Sequence, residues 1–224
     1  MSKPIVISVV GRSEINRDPE RAVLRIGVSQ EDGDKTVVSK TVVQTANAVQ
    51  ELLEKYTPRL ASGEATPDAA ITHWTMSTLR TKSFTDREQT TRFEANISFS
   101  ATFRDFDQLG AAAMTLSVMP SVSITDIKWM LTDETIESLI SECRIGAAHD
   151  ARTKATHYAK AFGYKDVRPY EISDGSYGLP STSTASVMRP GKNMRPMERE
   201  EQQLTFRPDE VSMTATVSIK FYNW

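Results

Sequence analysis

The sequence predicts an α+β fold: mainly antiparallel sheet, with amphipathic helices packed on one face. Three observations carry this expectation. Several segments alternate apolar and polar residues, most clearly Phe93, Ala95, Ile97, Phe99, Ala101 and Phe103. Period two is the mark of a half-buried strand. Other segments repeat apolar residues every three or four positions, the spacing of an amphipathic helix. Strand segments also follow one another across short turns more often than they alternate with helices, which favours hairpins over a wound parallel sheet.

A first strand is expected over about 4–15 and a second from about Arg21 to Gln30, with Asp18-Pro19 at the turn between them. Proline presets the turn and bars the residue before it from the α region, so the two strands are expected to pair as a hairpin. Glu31-Asp32-Gly33-Asp34 then forms a turn whose carboxylates suit the positive end of a following helix. It lacks the spacing of a calcium loop. The helix spans roughly 34–56, with Val38, Val42, Ala46, Val49, Leu53 and Tyr56 as its apolar stripe. Residues 57–69 read as a loop, and strands follow near 70–84 and 90–104, with Thr85-Asp86-Arg87 near the turn.

A short helix is expected over 105–117, with Asp105 as N-cap and Pro120 beyond its end. The strand at about 121–131 changes apolar phase between Ile124 and Ile127, which suggests a bulge. The longest element is a helix over about 133–162, capped by Thr132 or Asp133 and stopped by Gly163. Its expected stripe is Ile136, Ile140, Cys143, Ala147, Ala151, Ala155, Tyr158 and Phe162. The alanine-rich middle invites close approach by a sheet or a partner helix. A strand near 166–173 follows, and the last strand covers 210–222.

Between these last two strands, residues 174–208 depart from the rest, with Pro180, Pro190, Pro196, Pro208 and a Ser/Thr tract at 181–186. Loops this long inside a compact domain are usually functional or disordered. Mixed Met and Arg content belongs to adaptable contact surfaces. On that ground Met188, Arg189, Lys192, Met194, Arg195 and Met197 are expected to contact a partner or a second subunit.

A chain of 224 residues suits a single domain, 1–224. The net charge of −2 argues against a surface built to neutralise phosphates, so no nucleic-acid partner is expected. The lone Cys143 excludes an internal disulfide and a CxxC site, and fits a reducing compartment. The apolar stretch Ile5-Val6-Ile7 is too short for a signal peptide, and no run is long enough to cross a bilayer. A cytoplasmic or nucleocytoplasmic location and no membrane association are therefore expected.

No catalytic, cofactor or metal site is expected. No phosphate-binding glycine loop or nucleophile elbow occurs. His149 and His157 lie eight residues apart, not at the i,i+4 spacing of a helical metal pair, and His73 stands elsewhere. Cys143 falls on the apolar stripe, where a free thiol behaves as a small hydrophobe. Trp74, Trp129 and Tyr158 are either core or the lining of a ligand cleft.

Several of these features together resemble the SIMPL-domain family. Ile7-Ser8-Val9-Val10-Gly11 followed by Asp18-Pro19-Glu20-Arg21-Ala22 is similar to its opening strand, glycine and proline–acid turn. Ala148, Ala151, Lys154, Ala155, Tyr158, Ala159 and Gly163 resemble its alanine-spaced long helix, and the Val211-to-Phe221 strand fits its closing strand. The resemblance implies an α+β fold, a tendency to self-assemble, and signalling or stress roles. It transfers no catalytic residue. Many family members are secreted or periplasmic; the missing export signal keeps that location from being carried over, and the 174–208 segment is longer than the family's loop. The leading expectation is a non-enzymatic interaction or scaffold protein that forms homo-oligomers and has a protein partner. A small-molecule or peptide carrier and an enzyme of unknown chemistry are the alternatives.

Overall fold

The computed structural model describes residues 5–87, 89–182 and 208–222. They form, in order, β1 (Val6–Arg17), β2 (Arg21–Asp32), α1 (Lys35–Lys55), β3 (Ile71–Met76), β4 (Arg80–Thr85), β5 (Thr91–Phe103), α2 (Phe106–Ser117), β6 (Val122–Met130), α3 (Asp133–Ala161), β7 (Arg168–Thr182) and β8 (Val211–Tyr222). The fold is α+β and its sheets are antiparallel, as expected. The chain divides into two compact units interleaved in sequence. One takes its described residues from 1–19, 130–183 and 209–224, the other from 20–129 and 184–208.

The first unit is a three-stranded sheet, in the order β1-β8-β7, with α3 across one face. β8 alternates cleanly: Val211, Met213, Ala215, Val217, Ile219 and Phe221 are buried and the residues between them are not. α3 buries Leu139, Cys143, Ala147, Ala151, Ala155 and Ala159, a row at strict four-residue spacing. Thr132 caps its start by accepting the Thr135 N–H, and Asp133 and Glu134 fill the first turn. Its end is closed by Gly163 at φ +80, with the Tyr164 N–H donating to the Ala159 carbonyl at 2.9 Å.

The second unit is a five-stranded sheet. Its order is β3-β5-β2-β6, and β4 also pairs with β5. Ala22, Leu24, Ile26 and Val28 of β2 and Ala95, Ile97, Phe99, Ala101 and Phe103 of β5 share one buried face. α1 covers it with Val38, Val42, Ala46, Val49 and Leu53, and α2 with Leu109, Ala112, Ala113 and Leu116. The caps are those expected: Asp34 accepts the Thr36 N–H at 2.7 Å, and Asp105 accepts the Asp107 and Gln108 N–H groups at 3.0 Å. Asp32 accepts the Asp34 N–H, so the acidic turn is occupied in shaping the helix entry.

Four expectations need correction. β1 and β2 are not a hairpin: β1 pairs with β8 and β2 with β5, in different sheets. Tight turns usually join paired neighbours, but here the partners supplying matching registers lie far away in sequence. The strand expected near 70–84 is two strands in tandem, β3 and β4, both on β5 and interrupted at Ser77–Leu79. The strand expected near 166–173 continues to Thr182, so the first part of the segment read as loop is strand. Gly175 and Gly178 allow this, because a Cβ at either would collide with Thr216 or Thr214 of β8. Finally, Tyr158 and Phe162 are off the buried row of α3, 55% and 73% exposed.

Candidate functional site

Three surfaces of the described chain carry groups not consumed by the core. The first is the outer edge of β1. Gly11 is buried under α3, and a Cβ there would overlap the Ala147 carbonyl oxygen and lie 2.8 Å from the Ala151 Cβ. The alanine-rich middle of α3 does admit the close approach expected of it, and the strand side reciprocates with glycine. On either side of Gly11 the backbone groups that point away from β8 are taken by α3. The Arg12 N–H donates to Asp150 at 2.8 Å, and Lys154 donates to the Val10 carbonyl at 3.0 Å. Lys154 also donates to Asp150 at 2.6 Å. The hydrogen bond from Lys154, reinforced by that from Arg12, holds the Asp150 carboxyl below the usual carboxylate range. This pair closes a sheet edge that would otherwise invite another strand.

The second surface lies at the C-terminal end of α3. Tyr158, Phe162 and Tyr164 form a groove with Ile5, Val6 and Ile7, with a volume of about 430 Å³. Val6 stands opposite Tyr222, and Tyr222 stacks on Tyr170 with ring centroids 3.9 Å apart. Val6, Tyr158, Phe162 and Tyr170 are all exposed. The Tyr170–Tyr222 pair is on the sheet face away from α3, so the exposed aromatic surface of the groove is that of Tyr158 and Phe162, and exposed apolar surface at a groove marks interaction sites.

The third surface is the outer face of the five-stranded sheet. Arg25, Gly27, Thr75, Ser77, Ser98, Ser100 and Thr125 bound a shallow basin of about 420 Å³. Beside it, Arg80, Lys82 and Asn96 line a second depression.

The residues singled out in the sequence fall as follows. Met188, Arg189, Lys192, Met194, Arg195 and Met197 lie outside the described residues. Cys143 is buried, its thiol directed at the Met213 carbonyl at 3.6 Å, and burial pushes its pKa up. That is the setting of a structural thiol. His73, His149 and His157 are exposed. Trp129 is buried edge-on against Phe106, Trp74 packs near Phe99, and Tyr158 belongs to the apolar groove. The three aromatics therefore have three separate settings rather than one lining. Sequence reasoning missed the Asp150–Lys154 clamp, because an i,i+4 acid–base pair reads as an ordinary surface pair.

Two antiparallel sheets, one carrying α3 and the other α1 and α2, define an α+β protein. The family model described as SIMPL, protein of unknown function (DUF541), matches residues 7–221, and the chain belongs to this family. No curated protein matches it. No helix among the described residues is long and apolar enough to cross a membrane.

Proposed function

We propose that this protein is a non-enzymatic interaction module that self-associates through the apolar end of α3. The observation that carries the reading is Phe162, 73% exposed beside Tyr158 and Val6 at 55% and 52%. An exposed phenylalanine next to a tyrosine supplies the large, rigid contact area that dominates association energy. The β1 edge is clamped by Asp150 and Lys154, and β7 carries register shifts and Pro169, both of which blunt strand addition. Association through the aromatic patch is favoured over association through a sheet edge for that reason.

The test is light scattering after size-exclusion chromatography over a wide concentration range, with Phe162→Glu and Tyr158→Glu beside the parent chain. The expected outcome is an oligomer whose association weakens by about thirtyfold in Phe162→Glu, the size of one hot-spot loss. Thermal stability should barely change, since the ring is exposed. A parent chain that stays monomeric at the highest concentration, or an oligomer indifferent to both substitutions, rules the reading out.

A further inference from the structure

The outer face of the five-stranded sheet is organised by register into rows. Thr75 stands opposite Ser100 and Ser100 opposite Arg25, while the Thr125 hydroxyl reaches the Arg25 carbonyl at 3.1 Å. That is one polar row across four strands. In the next row Ser77, Ser98, Gly27 and Ser123 lie side by side, since Ser98 donates its N–H to Ser77 Oγ, pairs with Gly27, and Ser123 reaches the Gly27 carbonyl. In the third row Arg80 and Ser29 both stand opposite Asn96. Strands are about 4.8 Å apart and same-face residues about 6.8 Å apart. Arg25 thus adjoins, along β2, the one position in the middle row that has no side chain, Gly27, while Arg80 is two strands away on the far side of Ser98.

Gly27 is in the allowed strand region, with nothing in its backbone that demands glycine. A Cβ there would lie 3.1 Å from Ser123 Oγ, the movable tip of a side chain. What glycine supplies is the hollow. Around it, the hydroxyls of Thr75, Ser98 and Ser100 and the guanidinium group of Arg25 make no hydrogen bond or ion pair among the described residues, and neither does that of Arg80 in the neighbouring depression. Glu94, on the same face, is already held by Lys82 at 2.9 Å. The basin therefore presents uncommitted cationic donors over a floor of hydroxyls, on a chain whose net charge is −2.

We propose that this basin binds a small phosphorylated polyol. The guanidinium of Arg25 takes the phosphate oxygens, for which its planar fork is suited. The hydroxyls of Thr75, Ser98 and Ser100 exchange hydrogen bonds with those of the polyol. A volume of about 420 Å³ is at the small-molecule end of ligand sites. This site is independent of the apolar end of α3.

The test is titration of the full chain with glucose 6-phosphate, with glucose and with inorganic phosphate, followed by calorimetry and by amide chemical shifts. Glucose 6-phosphate should bind saturably with Kd on the order of 1 mM and shift the amides of Gly27, Ser98 and Ser100. Glucose and phosphate should each bind at least about tenfold more weakly, since each offers half of the contacts. Arg25→Gln should weaken binding by about tenfold or more. Gly27→Val, which fills the hollow with a residue suited to strands, should remove binding altogether. No saturable shift up to about 10 mM overturns the proposal. So does phosphate alone binding as tightly as the sugar phosphate, or an affinity unchanged in Arg25→Gln. Because Arg25 is exposed, that variant keeps the fold whatever becomes of Gly27→Val.

Discussion

Replacing Gly11 by alanine adds one methyl group at the tightest contact of the first unit. The new Cβ would overlap the Ala147 carbonyl oxygen and sit 2.8 Å from both the Cβ and the backbone nitrogen of Ala151. All three are parts of a helix that cannot yield locally, so α3 must lift from β1 as a body. Overpacking of a core costs about 1–3 kcal/mol, and backbone collisions belong at the upper end. Lifting α3 also stretches the Arg12–Asp150 and Val10–Lys154 hydrogen bonds, now 2.8 and 3.0 Å, at about 1 kcal/mol each. Against this stands the gain of about 0.4–1 kcal/mol from restricting the unfolded chain. The net expectation is a loss of about 3–4 kcal/mol, a large share of the ~5–15 kcal/mol that typically separates folded from unfolded. Urea unfolding followed by circular dichroism measures it, with Gly27→Ala as the control. That glycine is also in a strand, but its Cβ would be tight only against the Ser123 hydroxyl at 3.1 Å and in ordinary contact with the Thr125 methyl at 3.5 Å, so its change should stay within about 1 kcal/mol. If Gly11→Ala unfolds within about 0.5 kcal/mol of the parent, the close-packing account of β1 under α3 is wrong.

Two further outcomes follow from the same unit. The Asp150 carboxyl is held below its ordinary pKa by Lys154 and the Arg12 N–H, so the unfolded chain binds the proton more tightly. Its contribution is complete above the ordinary carboxylate pKa and is lost as pH falls through the lowered folded value. In Asp150→Asn this part of the acid limb should flatten, and an acid limb identical to the parent's in matched urea titrations at several pH values would refute the assignment. The Cys143 thiol, buried with its pKa raised, should react with a disulfide reagent roughly a hundredfold more slowly in the folded chain than in urea. Equal rates would mean that α3 opens readily.

Much of this was legible in the sequence because period is local. The alternation from Phe93 to Phe103 and from Val211 to Phe221 determines a buried and an exposed face whatever the partner strand is. The same holds for the α1 stripe, since Val38, Val42, Ala46, Val49 and Leu53 lie on one side of any helix. Asp34, Asp105 and Thr132 act on N–H groups two or three residues away, so the helix starts were legible too. The candidate surfaces were not. The insert residues lie outside the described part, the three aromatics are dispersed, and the rows around Gly27 exist only once β3, β5, β2 and β6 are in register.

Most of the elements, their buried faces and their caps follow from spacing along one stretch of chain and can be read without knowing what packs against them. Which strand pairs with which was decided by tertiary structure. A short Asp18-Pro19 turn looks like a hairpin, yet β1 finds its match in β8, some two hundred residues on. The same level chose the buried row of α3. Both Ala159 and Tyr158 fit an apolar spacing, but a helix held against Gly11 with its Ala147 carbonyl at the strand backbone turns its alanine-rich row, not its aromatic side chains, to the sheet. A four-residue row winds about 40° per step round a helix, so it can follow the surface of a twisted sheet. Tyr158 and Phe162 are left outside because backbone proximity, which no local pattern encodes, left them no room.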